Sequence, residues 1–282
     1  IKKDWETVNS DSSTALYNRA TQGKYAPGSV FKIFTALEYY RENTKEYEVY
    51  RYDCNGSITV DGKTIHCAGN HRHGTQDLEA SFANSCNSSF ANIALTLNRN
   101  KFKELCDSML FNKSLPIAFD SSKSSFSLSK SDTTGMVMET GIGQGKTLVS
   151  PLHMMLVASA IDNDGTLMMP YMVDHTQNAA GVTVKTNEAK EYGALMTEKE
   201  AQLLQKYMRS VVTYGTGGKL AGQSYEASGK TGTAQVSDSS DQTNAWFVGF
   251  VKKEGYKDLA IAVVVENSGA GSTYAVPIAK KV

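Results

Sequence analysis

The chain has 282 residues, with Lys+Arg and Asp+Glu both at 29 and a formal net charge of +0. That length can bury a sizeable core in one large domain or two lobes, and the charge balance leaves no nucleic-acid footprint. No apolar run reaches membrane-spanning length, no signal peptide is visible and no internal repeat is found. The first residues are Ile1-Lys2-Lys3, without an initiator methionine, and are read as the start of a trimmed piece of something longer.

The first strong element is a helix over 29–41. Phe31, Phe34, Leu37 and Tyr40 recur at helical spacing behind a Pro27-Gly28 entry turn. Its first turn carries Ser29 and Lys32. A serine N-cap and a lysine reaching to water would explain the pair without chemistry. The chemical reading is that positions i and i+3 share a helix face, so a lysine amine can reach a serine hydroxyl. A serine is a poor nucleophile until a base takes its proton, and a desolvated lysine, or one near another cation, can be that base. A second Ser-x-x-Lys, Ser127 to Lys130, lies in the serine-rich stretch 120–131, which reads as a solvated loop.

Strands are predicted over 47–52, 57–60 and 63–66, with Asp61-Gly62 as a hairpin turn. Helices follow over 75–84, 87–98 and 100–111. Ser85-Cys86-Asn87 falls between the first two, where a turn would point Ser85 and Asn87 the same way. A linker with an N-cap asparagine is the plain alternative. Further on come a helix over 150–161, a strand over 166–173 and a helix over 197–213. Long strands over 225–236, 244–252 and 258–266 predict a late antiparallel sheet, and the whole distribution predicts an α+β fold. Within the first of these strands lies Lys230-Thr231-Gly232-Thr233. Gly232 there suggests close approach of another backbone, such as an extended substrate, and Lys230 would be the second cation. A phosphate loop is excluded, because Gln223, Ser224 and Tyr225 stand where its first glycine should fall.

Ser-x-x-Lys, Ser-x-Asn and Lys-Thr-Gly occur in that order, 56 and then 145 residues apart. Together they match the motif set of penicillin-binding proteins and class A β-lactamases, with Ser-Cys-Asn in place of Ser-Asp-Asn. The flanks "LYNRATQGKYAPGSVFK", "GIGQGKTLVSPLHM" and "SGKTGTAQ…AWFVGF" resemble class B (monofunctional) penicillin-binding transpeptidases over roughly residues 15 to 265. This resemblance implies the penicillin-binding transpeptidase / serine β-lactamase-like fold, an antiparallel sheet flanked by helices plus a mostly helical lobe, here as a single domain over 1–282. It also implies roles. Ser29 would be the acylated nucleophile and Lys32 its base. Ser85 would pass the proton to the leaving D-alanine, and Asn87 would hold the substrate amide. Lys230 would set the electrostatics, and Thr231, Gly232 and Thr233 would bind substrate, with Thr231 or Thr233 taking its terminal carboxylate. The N–H groups of Ser29 and Thr233 would form the oxyanion hole.

The implied reaction is two-step acyl transfer between peptidoglycan stem peptides, mimicked and stalled by β-lactam antibiotics. The implied setting is the extracytoplasmic face of the bacterial membrane, with an upstream membrane anchor and a membrane glycosyltransferase as partner. The chain departs from the family pattern at both ends. A two-strand hairpin normally precedes the "NRA" region, where about eighteen residues stand, and the C-terminal helix is read as cut short after "STYAVPIAKKV". A D,D-carboxypeptidase, a β-lactamase, a β-lactam sensor and a non-catalytic scaffold are the alternatives. The flanks favour the transpeptidase.

Cys54, Cys67 and Cys86 lie around a histidine-rich run holding His66, His71 and His73, while Cys106 reads as a small buried apolar residue. Two readings are open. Cys54 and Cys67 could form a disulfide across the hairpin, or Cys54, Cys67, His73 and Cys86 could hold a tetrahedral structural Zn²⁺. The resemblance favours zinc, because some elongation-type class B transpeptidases take ligands from a His-Gly pair and from the middle of the Ser-x-Asn motif. His66 and His71 read as solvated, with His71 a substitute ligand.

Overall fold

The computed structural model describes residues 2–10, 12, 14–236 and 242–282. In chain order the helices are α1 (Lys2–Asn9), α2 (Arg19–Gln22), α3 (Lys32–Glu42), α4 (Leu78–Ala83), α5 (Asn87–Thr96), α6 (Arg99–Ser108), α7 (Thr134–Gly141), α8 (Pro151–Asp162), α9 (Glu198–Thr213) and α10 (Gly271–Lys281). The strands are β1 (Tyr52–Cys54), β2 (Ser57–Val60), β3 (Lys63–His66), β4 (Gly74–Gln76), β5 (Thr166–Met168), β6 (His175–Gln177), β7 (Thr183–Thr186), β8 (Glu191–Ala194), β9 (Glu226–Gln235), β10 (Thr243–Lys252) and β11 (Leu259–Val265).

The late strands form the expected antiparallel sheet, in the order β11-β10-β9. Side chains alternate across it, and both faces are covered. Ala234, Trp246, Val248 and Phe250 join the helical core, whereas Ala227, Ala245, Phe247 and Val263 pack with Ala275 and Val276 of α10. Two-sided burial is why β10 reads as an unbroken apolar run. The helical lobe surrounds α3, whose residues Lys32–Glu38 are all buried. Phe31 meets Phe34, Phe102, Phe111 and Phe126 at centroid distances of 5.1–5.9 Å. Favourable aromatic geometries of this kind add to the area buried.

The β2–β3 hairpin turns at Asp61 (φ 49°) and Gly62 (φ 78°), the paired left-handed conformation that matches strand twist. Other boundaries differ from the pattern reading. The stretch 47–52 is a 3₁₀ turn, Tyr47–Val49, before β1 begins. There Tyr47 and Tyr50 turn back onto Tyr40 and Tyr39 of α3, so tertiary stacking overrides β-propensity. The 75–84 helix starts only at Leu78, capped by Asp77 whose carboxylate accepts from the Ala80 N–H at 2.7 Å. The 166–173 strand stops at Met168, before Pro170. The serine-rich stretch is irregular but not simply solvated. Phe126 and Leu128 are buried in the core, and Ser125 bridges Leu148. Helices α1, α2 and α7 and the strands β4 and β6 to β8 lie outside what the sequence pattern predicts. Among the described residues, no helix is long and apolar enough to cross a membrane.

Candidate active site

Gly28 positions the nucleophile candidate. Its φ of +52° is one that L side chains rarely adopt, and a Cβ on it would lie 2.4 Å from the Thr233 carbonyl oxygen. Its N–H donates to the Gly143 carbonyl at 2.9 Å. Ser29 therefore sits, half-buried, on a 3₁₀ turn (Gly28–Phe31) wedged between the loop holding Gly143 and Gly145 and the Lys-Thr-Gly strand.

Lys32 opens α3 and is fully buried. Its Nζ donates to the Ser85 carbonyl (2.7 Å), Ser85 Oγ (3.2 Å) and Asn87 Oδ1 (2.7 Å). These three bonds use every N–H of an ammonium, and none goes to Ser29. Burial pushes its pKa down to about 7, opposed by the one negative charge that the Cys86–Cys67 pair shares. A neutral amine releases one donor position and gains a lone pair, which is the state a base requires.

Ser85 is held in a left-handed turn (φ 55°) between α4 and α5. The Cys86 N–H donates to the Ser81 carbonyl (2.9 Å), and Asn84 Nδ2 donates to Gln76 Oε1 (2.7 Å). Lys230, also fully buried, donates to Ser85 Oγ at 2.9 Å. Burial and then the charge on Lys32 hold Lys230 well below the usual lysine range. Two amines thus converge on one hydroxyl oxygen and occupy its acceptor sites, leaving its proton to donate. Asn87 is held in place, since Oδ1 faces Lys32 and one Nδ2 N–H goes to the His66 carbonyl at 2.9 Å, which leaves the second Nδ2 N–H for a ligand.

The strand residues divide. The Thr231 hydroxyl shares a short hydrogen bond with the Thr216 hydroxyl. Thr233 Oγ1 accepts from the Gly271 N–H at 3.3 Å, at the start of α10. Gly232 does have a backbone pressed against it, but that backbone is the chain's own. A Cβ there would stand 3.0 Å from the Pro27 oxygen and 3.1 Å from Trp246 Cβ, and one on Gly271 would stand 2.4 Å from the Gly232 oxygen. The second Ser-x-x-Lys is on the surface, with Ser127 and Lys130 both exposed.

Cys54, Cys67, His73 and Cys86 converge, with their ligand atoms within 4.8 Å of one another. All four cysteines of the chain are free, so Cys54 and Cys67 do not form the disulfide held open above. The Cys54–Cys67 and Cys67–Cys86 sulfur separations are 3.7 and 3.8 Å, and Cys54 Sγ lies 3.3 Å from His73 Nδ1. A tetrahedron with ~2.3 Å metal–sulfur bonds has S–S edges of about 3.8 Å, so the donor set and its spacing fit Zn²⁺. The Cys67 thiol is pulled down to about 4, first by a hydrogen bond from Cys86, whose own thiol is pushed up by the same contact. Ser88 Oγ lies 3.1–3.4 Å from all three sulfurs. His66 and His71 are exposed.

The sequence pattern of the penicillin-binding protein transpeptidase domain matches residues 2–282. This chain belongs to that family. Penicillin-binding protein 3 of Bacillus subtilis is 28% identical to it, over 99% of this chain and 42% of the relative. The peptidoglycan D,D-transpeptidase PbpA of Mycolicibacterium smegmatis is 26% identical, over 98% and 58%. The chain thus spans about half the length of the curated relatives it matches. The imipenem acyl-enzyme complex of penicillin-binding protein A from M. tuberculosis superimposes with a TM-score of 0.87 at 22% identity, over 99% of this chain and 63% of that one. The α+β transpeptidase fold is therefore the fold of this family member. Its three motifs, spread over about 200 residues of sequence, meet around Ser85. Thr216 and Ser88 were missed in the sequence; glycines around Thr216 were the one visible signal.

Proposed function

We propose that this domain is a serine-type peptidoglycan D,D-transpeptidase working through a Ser29 acyl-enzyme. The observation that carries this reading is the Ser85 hydroxyl held by two buried lysine amines beside the Ser29 turn. Ser29 Oγ attacks the carbonyl of the penultimate D-alanine of a stem peptide, and Lys32 as the free amine takes its proton. Ser85 donates its proton to the departing D-alanine nitrogen and is reprotonated through the lysines. With Lys32 as the free amine the repulsion on Lys230 is relieved, and Lys230 as the ammonium keeps the site electropositive towards the terminal carboxylate, which the Thr231 or Thr233 hydroxyl binds, while Gly232 lets the strand close on the Ser29 turn. Asn87 orients the substrate amide, and the Ser29 and Thr233 N–H groups stabilise the oxyanion. An amine of a second stem peptide then reverses the sequence and releases the cross-link. β-Lactams acylate Ser29 and stall there, because their leaving group stays tethered.

Cys54, Cys67, His73 and Cys86 hold a structural Zn²⁺ in this reading. The ion takes no part in acyl transfer. It fixes Cys86, and so the angle at which Ser85 and Asn87 face Ser29. The domain acts outside the cytoplasmic membrane, where stem peptides are, anchored by an upstream segment and partnered by a membrane glycosyltransferase.

The test is incubation with a fluorescent penicillin followed by intact mass, alongside Ser29→Ala. A stable adduct mapping to Ser29 and absent from the variant is expected. Hydrolysed antibiotic without an adduct would make the protein a β-lactamase, and intact antibiotic without an adduct a scaffold. Release of D-alanine into a cross-linked product, rather than to water, separates transpeptidase from carboxypeptidase and sensor.

A further inference from the structure

The turn between α9 and β9 contains a residue that the roles above do not use. The Thr216 N–H donates to the Ala83 carbonyl at 3.1 Å, two residues before Ser85. The Thr216 hydroxyl bonds the Thr231 hydroxyl, one residue after Lys230. One side chain and its own amide therefore connect the Ser85 turn to the Lys-Thr-Gly strand. The turn has no slack. The Gly215 N–H donates to Ser210 and the Gly217 N–H to Val211 at the end of α9. A Cβ on Gly215 would stand 2.2 Å from the Ala83 oxygen.

The hydroxyl pair has a directional consequence. Each threonine hydroxyl carries one proton. If Thr231 donated to Thr216, it would have only lone pairs to offer a ligand, and these repel an anion. If Thr216 donates to Thr231, the Thr231 proton is left for a ligand, and the bond it makes is strengthened by the chain behind it. The Lys230 amine reaches the Thr231 carbonyl (3.1 Å), not its hydroxyl, so Thr216 is the neighbour that decides.

We infer that Thr216 is a positioning residue that orients the Thr231 hydroxyl as a donor to ligand carboxylates and ties its strand to the Ser85 turn. This rests on the transpeptidase reading. Thr216→Val keeps the shape and the N–H and removes the hydroxyl; Thr216→Ser restores it. The probes are benzylpenicillin and its methyl ester, with second-order acylation followed by intact mass. Thr216→Val should slow benzylpenicillin by roughly tenfold, the size of one charge-assisted hydrogen bond, and the uncharged ester by less than about twofold. Thr216→Ser should stay within about twofold of wild type with both. Thr231→Val should show the same selective loss, and adding Thr216→Val to it should cost little more. Equal slowing of acid and ester, no slowing, or additive losses in the double variant would overturn the inference. A wild-type protein that forms no adduct would overturn the transpeptidase reading instead.

Discussion

Replacing Gly28 by alanine adds one methyl group at the tightest backbone contact of the site. The residue has φ +52°, which costs an alanine about 1–2 kcal/mol. The new Cβ would stand 2.4 Å from the Thr233 oxygen and 2.8 Å from its carbonyl carbon, both main-chain atoms. Relief to an ordinary ~3.4 Å contact needs a shift of about 1 Å between the Ser29 turn and β9. A misplacement of about 1 Å at reacting groups costs on the order of 100-fold in rate. Gly62→Ala is the control, since Gly62 also has positive φ (+78°) but nothing lies within 4 Å of its Cβ position. Gly28→Ala should therefore lose about 2–3 kcal/mol in urea unfolding and on the order of 100-fold in acylation by a fluorescent penicillin. Gly62→Ala should lose about 1 kcal/mol and acylate normally. Acylation by Gly28→Ala within twofold of wild type would refute the wedge between Ser29 and the strand.

Acylation should rise with pH along a limb centred near the lowered Lys32 pKa of about 7, because the working base is the deprotonated amine. A flat profile between pH 6 and 8.5 would remove Lys32 from that role. Stability should respond at lower pH through His153, which is fully buried on the Met109 carbonyl and lowered by burial to about 4. A depressed pKa means the unfolded chain binds the extra proton first, so stability is lost as pH falls from 6.5 towards 4, by about 3 kcal/mol. Urea titrations across that range should steepen for wild type and flatten for His153→Gln, and identical slopes would rule His153 out. Chelation of zinc-loaded protein should lower Tm and slow acylation together, with Cys86→Ser doing the same. Unchanged values would detach the cluster from the Ser85 turn.

Much of the fold and of the site is legible in the sequence. Apolar spacing marks α3, α5, α6, α8 and α9, and Asp61-Gly62 marks its hairpin, because periodicity and turn chemistry are local properties of the chain. The three motifs single out Ser29, Lys32, Ser85, Asn87 and Lys230 because acyl transfer restricts residue type and order. Local spacing also suggested a Lys32 amine engaged with Ser29. A buried ammonium must satisfy three donors at once, and the folded chain supplies them from residues 53 and 55 positions away. The same distinction explains the rest. Phe126 reads as a loop residue by its serine neighbours, yet its apolar ring fills a gap beside Phe31, Phe102 and Phe111 that exists only once the helical lobe has packed. Gly232 was legible as a close-approach site, but only packing reveals that Pro27, Trp246 and Gly271 do the approaching. The sequence by itself determined which groups could do the chemistry. Tertiary structure decided which of them meet, because burial and long-range hydrogen bonding, such as the pairing of Thr216 with Thr231, are set by residues far apart in the chain.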